Sequence, residues 1–132
     1  FRSDVKLEVL LTILFLILIG LLGVLHLGIM GLELWASPQT QAQAFAMPLA
    51  FVKQPPARTA LMNQGVYNGA LGAMFLFTFL LADNPTTWLV RMALAGFVLV
   101  VGLVGGFTAT KKIFLIQCLP AVITLLIGLL AR

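Results

Sequence analysis

Residues 63–82 read NQGVYNGALGAMFLFTFLLA, with two Asn, a Gln and a Tyr in the first six positions and an almost wholly apolar run after them. Such a run is either a core helix of a soluble domain or a membrane span with a polar start, and the rest of the chain decides which. Three more apolar stretches, near 7–30, 87–110 and 113–130, approach or exceed the roughly 20 residues that a helix needs to cross a hydrocarbon core about 30 Å thick. The chain has 132 residues, 61% of them hydrophobic and 9% charged, a balance foreign to ordinary soluble domains. The expectation is therefore all-α: a four-transmembrane-helix bundle with a polar pocket in one leaflet, forming a single domain over residues 1–132. Its helices are placed near 7–35, 60–82, 87–110 and 113–130, with an interfacial connection over 37–59, in a multi-pass protein of the inner (cytoplasmic) membrane.

The first apolar stretch, VLLTILFLILIGLLGVLHLGIM over 9–30, is too long for the apolar region of a signal peptide and lacks a small-residue cleavage site, so it is expected to persist as a helix. The single cysteine, Cys118, allows no internal disulfide and no metal-ligand spacing. The net charge of +4 is spread over helix ends and loops, which points to the lipid bilayer as partner and away from nucleic acid.

Alternating crossings put both chain ends and the DNPTT connection (83–87) on one side, called side A. Side B holds the Lys111–Lys112 turn and the long connection SPQTQAQAFAMPLAFVKQPPAR (37–58). The apolar Phe45, Met47, Leu49 and Phe51 suit an amphipathic or irregular interfacial segment, with Pro55 and Pro56 ending it before the second span. Cytoplasmic flanks carry excess Lys and Arg, but here the two sides tie: Arg2, Lys6, Arg91 and Arg132 against Lys53, Arg58, Lys111 and Lys112. A tie suits either orientation, or insertion both ways round as in antiparallel dimers, and the expected assembly is a homodimer.

Polar residues are distributed more tellingly. His26 and Glu33 stand seven residues apart on nearly one face of the first helix, about 10 Å along its axis. Asn63, Gln64, Tyr67 and Asn68 open the second helix, Thr108 and Lys112 close the third, and Gln117 lies early in the fourth. All fall at the side B ends of their helices. Unpaired polar groups in hydrocarbon cost several kcal/mol each, so these are expected to turn inward and form a ligand-binding pocket. Small-residue rows at Gly65, Gly69 and Ala73 and at Gly102 and Gly106, with Gly20, Gly23, Gly28 and Gly31 in the first helix, favour close helix approach.

The segments LHLGIMGLELW, NQGVYNGALGA and GGFTATKKIFLIQCLPA together resemble the small bacterial integral-membrane family catalogued as domain of unknown function 1304. The resemblance covers nearly the whole chain, and NQGVYNG is its strongest element. It implies four transmembrane helices and a shared polar set that includes His26, Glu33 and Trp35. Family members often carry a Glu just before that His, where this chain has Leu25, which removes a second carboxylate from the site. The resemblance implies no activity.

Several chemistries remain open. His26 and Glu33 suit a proton relay or ion-coupling pair, or else a structural role in which Glu33 pairs with Lys111 or Lys112 and His26 bonds a carbonyl or an Asn. One His and one Glu fall short of a metal site or haem, and no catalytic triad, phosphate loop or nucleotide fingerprint occurs, so no cofactor, metal or catalytic residue is assigned. The expected function is binding or transport of a small amphipathic or ionic solute. The alternatives are a membrane enzyme doing acid/base chemistry on a lipid-soluble substrate, and a structural subunit without a small ligand.

Overall fold

The computed structural model describes residues 2–132, and among these all regular structure is helical. The elements are α1 (Arg2–Trp35), α2 (Pro38–Ala44), α3 (Leu49–Val52), α4 (Pro55–Phe77), α5 (Pro85–Thr108) and α6 (Leu119–Leu130). A 3₁₀ turn, Thr78–Leu80, prolongs α4, and a π-helical segment, Phe114–Cys118, leads into α6.

By length and composition two helices qualify as membrane spans, Ser3–Trp35 and Pro85–Thr108, while Phe114–Leu130 is apolar but shorter. The difference from the four expected spans has a cause in α4. That helix begins about five residues before the expected start and ends about five before the expected end, so it gains Pro55, Pro56 and Arg58 and loses part of the apolar tail. Pro55 and Pro56, expected to act as breakers, occupy the first helical positions instead, where an N–H has no intrahelical acceptor and a fixed φ is already helical.

The expected interfacial connection contains α2 and α3. Ser37 caps α2 by accepting from the Thr40 N–H at 3.2 Å. Its C-terminus closes with the Met47 N–H donating to the Ala42 carbonyl at 3.0 Å while Ala46 takes φ 53°, a left-handed position that favours glycine. In the last helical stretch Pro120 has no N–H to give the Ile116 carbonyl. The backbone widens there into π geometry, with the Leu119 N–H donating to the Phe114 carbonyl.

The long helices pack in the order α4, α1, α6, α5, so α4 and α5, neighbours in sequence, touch little beyond the turn that joins them. A face of α4 with almost no side chains lies on α1: Gly65 against Leu34 and Glu33, Gly69 against Met30, Gly72 against Leu27 and the Gly23 backbone. Gly72 takes the place expected of Ala73, which is exposed, because a step of three after a step of four follows the 3.6-residue period better than two steps of four. Gly102 meets Cys118, Gly106 meets Phe114, and Gly128 receives Phe15 of α1. Gly28 and Gly31 of α1 have nothing within 4 Å of the point where a Cβ would stand, so they play no part in this packing. Phe15, Ile19, Leu22, Leu71, Phe75, Ala95, Val98 and Ala121 form the core between the four long elements.

Two stability predictions arise from this packing. A Cβ at position 72 would stand 2.6 Å from the Gly23 carbonyl oxygen, so Gly72→Ala is expected to lower unfolding stability in detergent by about 1–3 kcal/mol. Gly28→Ala is the control: with open space around it, the substitution is expected to be neutral or to gain up to about 1 kcal/mol of helix propensity. Ala46→Gly relieves the left-handed position and is expected to raise the melting temperature, by about 0.5–1 kcal/mol of stability after the extra freedom of the unfolded chain is discounted. Equal melting temperatures for wild type and Gly72→Ala would contradict the close helix contact.

Candidate functional site

The polar centre of the molecule lies on the α1/α4 contact, beside Gly65. Gly65 leaves room for Glu33, whose side chain is only 4% exposed. One turn further along α4, the Asn68 side chain donates from Nδ2 to Glu33 Oε1 at 2.5 Å. Because Glu33 Oε1 is the acceptor, the amide is oriented with its nitrogen inward, which leaves the Oδ1 acceptor and the second N–H free for other partners.

Asn68 also lines a groove of about 560 Å³ between α4 and α5. Gln64 and Tyr67 stand beside it on the same wall, and the remainder is apolar, with Leu71, Met74, Leu94 and Phe97 prominent. The groove exists because α4 and α5 are held together at one end and diverge from there. At the joined end Arg91, 5% exposed, donates from Nε to Thr78 Oγ1 and from Nη2 to the Thr78 carbonyl, both at 3.1 Å, with its guanidinium 5.1 Å from the Phe79 ring centroid.

Other expected site residues lie elsewhere. His26 is buried in the α1/α4 contact, its Nδ1 donating to the Leu22 carbonyl at 2.8 Å and its ring stacked on Phe75, with centroids 6.2 Å apart. Its Nε2 is buried with no hydrogen-bond partner among the described residues. Asn63 is exposed and does not line the groove. Thr108 turns its hydroxyl back to the Val104 carbonyl at 2.7 Å, Lys112 is exposed, and Gln117 is half-buried in the π-helical segment. Glu33 and Asn68 are thus joined, Gln64 and Tyr67 share their wall, and His26, Asn63, Thr108, Lys112 and Gln117 are separate from them. Among the described residues the Glu33 carboxylate is paired with Asn68 and not with Lys111 or Lys112, and no cluster of three or more His, Cys, Asp or Glu that would hold a metal occurs.

Two further polar contacts have no counterpart in the sequence reading. Gln41, fully buried, donates from Nε2 to the carbonyls of Leu32 at 2.9 Å and Glu33 at 3.1 Å, and its Oε1 accepts from Arg58 Nη1. It satisfies carbonyls left open by the end of α1 and ties them to the first turn of α4, which fixes the backbone of Glu33. In sequence Gln41 stands between Gln39 and Gln43 with nothing to distinguish it; only the cap at Ser37, which starts α2, sets the phase that turns position 41 inward. Arg91 is the other, read in sequence only as a charge for the orientation count.

The family described as protein of unknown function, DUF1304, matches residues 20–129. A curated relative, the uncharacterized protein YpaA of Lactococcus lactis subsp. lactis, is 32% identical over 117 residues, which cover 88% of this chain and 97% of the relative. No solved structure matches the chain.

The Glu33–Asn68 pair yields a double-mutant test. Asn68→Leu leaves a buried carboxylate without its donor and is expected to lower unfolding stability by roughly 3 kcal/mol. Adding Glu33→Leu is expected to recover most of that loss, as measured by unfolding of the two single variants and the double variant. Additive losses would show that the two side chains do not interact.

Proposed function

Because the chain belongs to the DUF1304 family, whose description names no activity, we propose from the site itself that it is a multi-pass membrane protein that binds a small amphipathic solute in the groove between α4 and α5. The membrane part of this reading is supported by where the apolar surface lies. In the most apolar windows of α1 and α5 only 28% of the residues are buried, and Val100, Val104 and Phe107 of α5 are among the side chains facing outward. A soluble protein rarely leaves so continuous an apolar surface in water, whereas lipid covers it without penalty. With α4 along α1, and residues 114–130 between α1 and α5, the reading extends to four crossings.

The observation that carries the ligand reading is the division of the groove into polar and apolar parts. Gln64, Tyr67 and Asn68 stand at one end, and the trough beyond them is hydrocarbon. Its volume is in the range of small-molecule sites. On α5 the lining runs from Val90 to Val101, the middle of a helix spanning Pro85–Thr108, so the polar end would lie within the hydrocarbon depth and the opening would face lipid. An amphiphile entering sideways would place its tail along Met74 and Leu94 and its head against Asn68. The acceptor that Asn68 presents, with the Glu33 carboxylate behind it, favours a head that donates hydrogen bonds or carries positive charge. A site near mid-depth is also where carriers hold their cargo, so transport is the natural extension of binding.

The test is titration of the protein in neutral lipid nanodiscs with a fluorescent single-chain alkylamine. Saturable binding is expected, weakened about tenfold by Asn68→Leu and blocked by Leu94→Trp, which fills the trough, while helical content stays unchanged. Binding unaffected by Leu94→Trp would place the amphiphile elsewhere and overturn the proposal.

A further inference from the structure

A second cavity, of about 240 Å³, lies at the side A end of the bundle, where α1, the start of α5 and the end of the chain come together. Its polar lining consists of Thr12, Asp83, Asn84, Trp88, Arg91 and Arg132, with Phe15 and Leu16 as apolar floor. Two arginine side chains thus face one acidic side chain, Asp83, which is exposed to solvent, so its charge is screened more than that of Arg91.

Arg91 is unusual in its partners. It is nearly enclosed, yet both of its hydrogen bonds go to oxygens of Thr78 that carry no charge. A guanidinium has five N–H donors, and with Nε and Nη2 engaged on Thr78 the rest remain for the cavity that the residue lines. The charged neighbour of Arg91, Asp83, is solvent-exposed and forms no salt bridge with it among the described residues, so the buried guanidinium is only partly compensated, and an anion in the adjacent space would complete the compensation. Arg132 is positioned for the same anion. Its guanidinium lies 4.7 Å from the Trp88 ring centroid, and the indole is itself fixed by Nε1 donating to the Gly128 carbonyl at 2.9 Å.

We infer that this cavity binds a phosphate group, held in a fork between Arg91 and Arg132. Arginine recognises phosphate through paired N–H donors, and the cavity is too small for much beyond the phosphate and a short substituent. The group comes either from the headgroup of an anionic phospholipid or from a free phosphate ion. For the lipid source the inference rests on the membrane reading above: α5 begins and α6 ends at this level, which is the headgroup depth for helices that span the bilayer, and a Trp beside an Arg is typical of that depth. The site is independent of the groove between α4 and α5.

The experiment is thermal unfolding of the full chain in a nonionic detergent, followed by Trp fluorescence, during titration with phosphatidylglycerol, phosphatidylcholine or inorganic phosphate at constant ionic strength. Phosphatidylglycerol, inorganic phosphate or both are expected to raise the melting temperature saturably, with phosphatidylcholine inert. A response to the lipid alone identifies a headgroup site, and a response to phosphate identifies a free-anion site. Arg132→Gln, at an exposed position, and Arg91→Lys, which keeps charge but loses the fork, are each expected to weaken the response about tenfold. The inference is overturned if neither anion acts more strongly than phosphatidylcholine, or if Arg132→Gln responds as wild type does. Alkylamine binding in the groove reads the other proposal separately, so either can fail alone.

Discussion

The contact on which the molecule depends is the approach of α4 to α1 through Gly65, Gly69 and Gly72. Without side chains on this face of α4, the two backbones come close enough for Gly72 to sit on the Gly23 carbonyl. This spacing sets the position of everything polar nearby. Glu33 fits over Gly65, Asn68 reaches its carboxylate, and Gln41 can bond the last carbonyls of α1 while touching Arg58. Helices further apart would leave Glu33 in a gap that only water could fill. Because α1 is occupied by α4 on one side and α6 on the other, α5 is left to lean on α6, and the groove between α4 and α5 follows.

The buried polar groups share a pattern. Glu33 is matched with an amide, Arg91 with a threonine, and His26 with a backbone carbonyl, each a neutral partner for a group able to carry charge. Opposite charges placed together would neutralise each other and stay inert. Neutral hydrogen-bond partners satisfy geometry but not charge, which is the ground on which an ionic neighbour is proposed for Glu33 and for Arg91. The two lie apart, the carboxylate behind the groove and the guanidinium beside the smaller cavity.

Much of this fold was legible in the residues. The apolar stretches marked α1, α5 and the last helical segment, and the polar opening of α4 marked it as different from them. What failed was phase and punctuation. Pro55 and Pro56 read equally well as the end of a loop or the start of a helix, and only the tertiary arrangement chose the second. Gly72 rather than Ala73 faces α1 because small residues placed four apart drift off a helical face. The site was legible only in part for the same reason: Asn63 and Asn68 are the same residue type in one polar stretch, yet one is exposed and the other bonds Glu33. Gln41 and Arg91 went unread because their importance comes from partners distant in the chain.

The packing order also bears on how the protein is made. Synthesis runs from α1 onward, so α1 and α4 can join as soon as α4 has left the ribosome, whereas α5 emerges with little surface to rest against. Its main neighbours, the π-helical segment and α6, appear only after it. Residues 114–130 therefore complete the assembly by filling the space between α1 and α5, and until they do the groove has one fixed wall and one loose one.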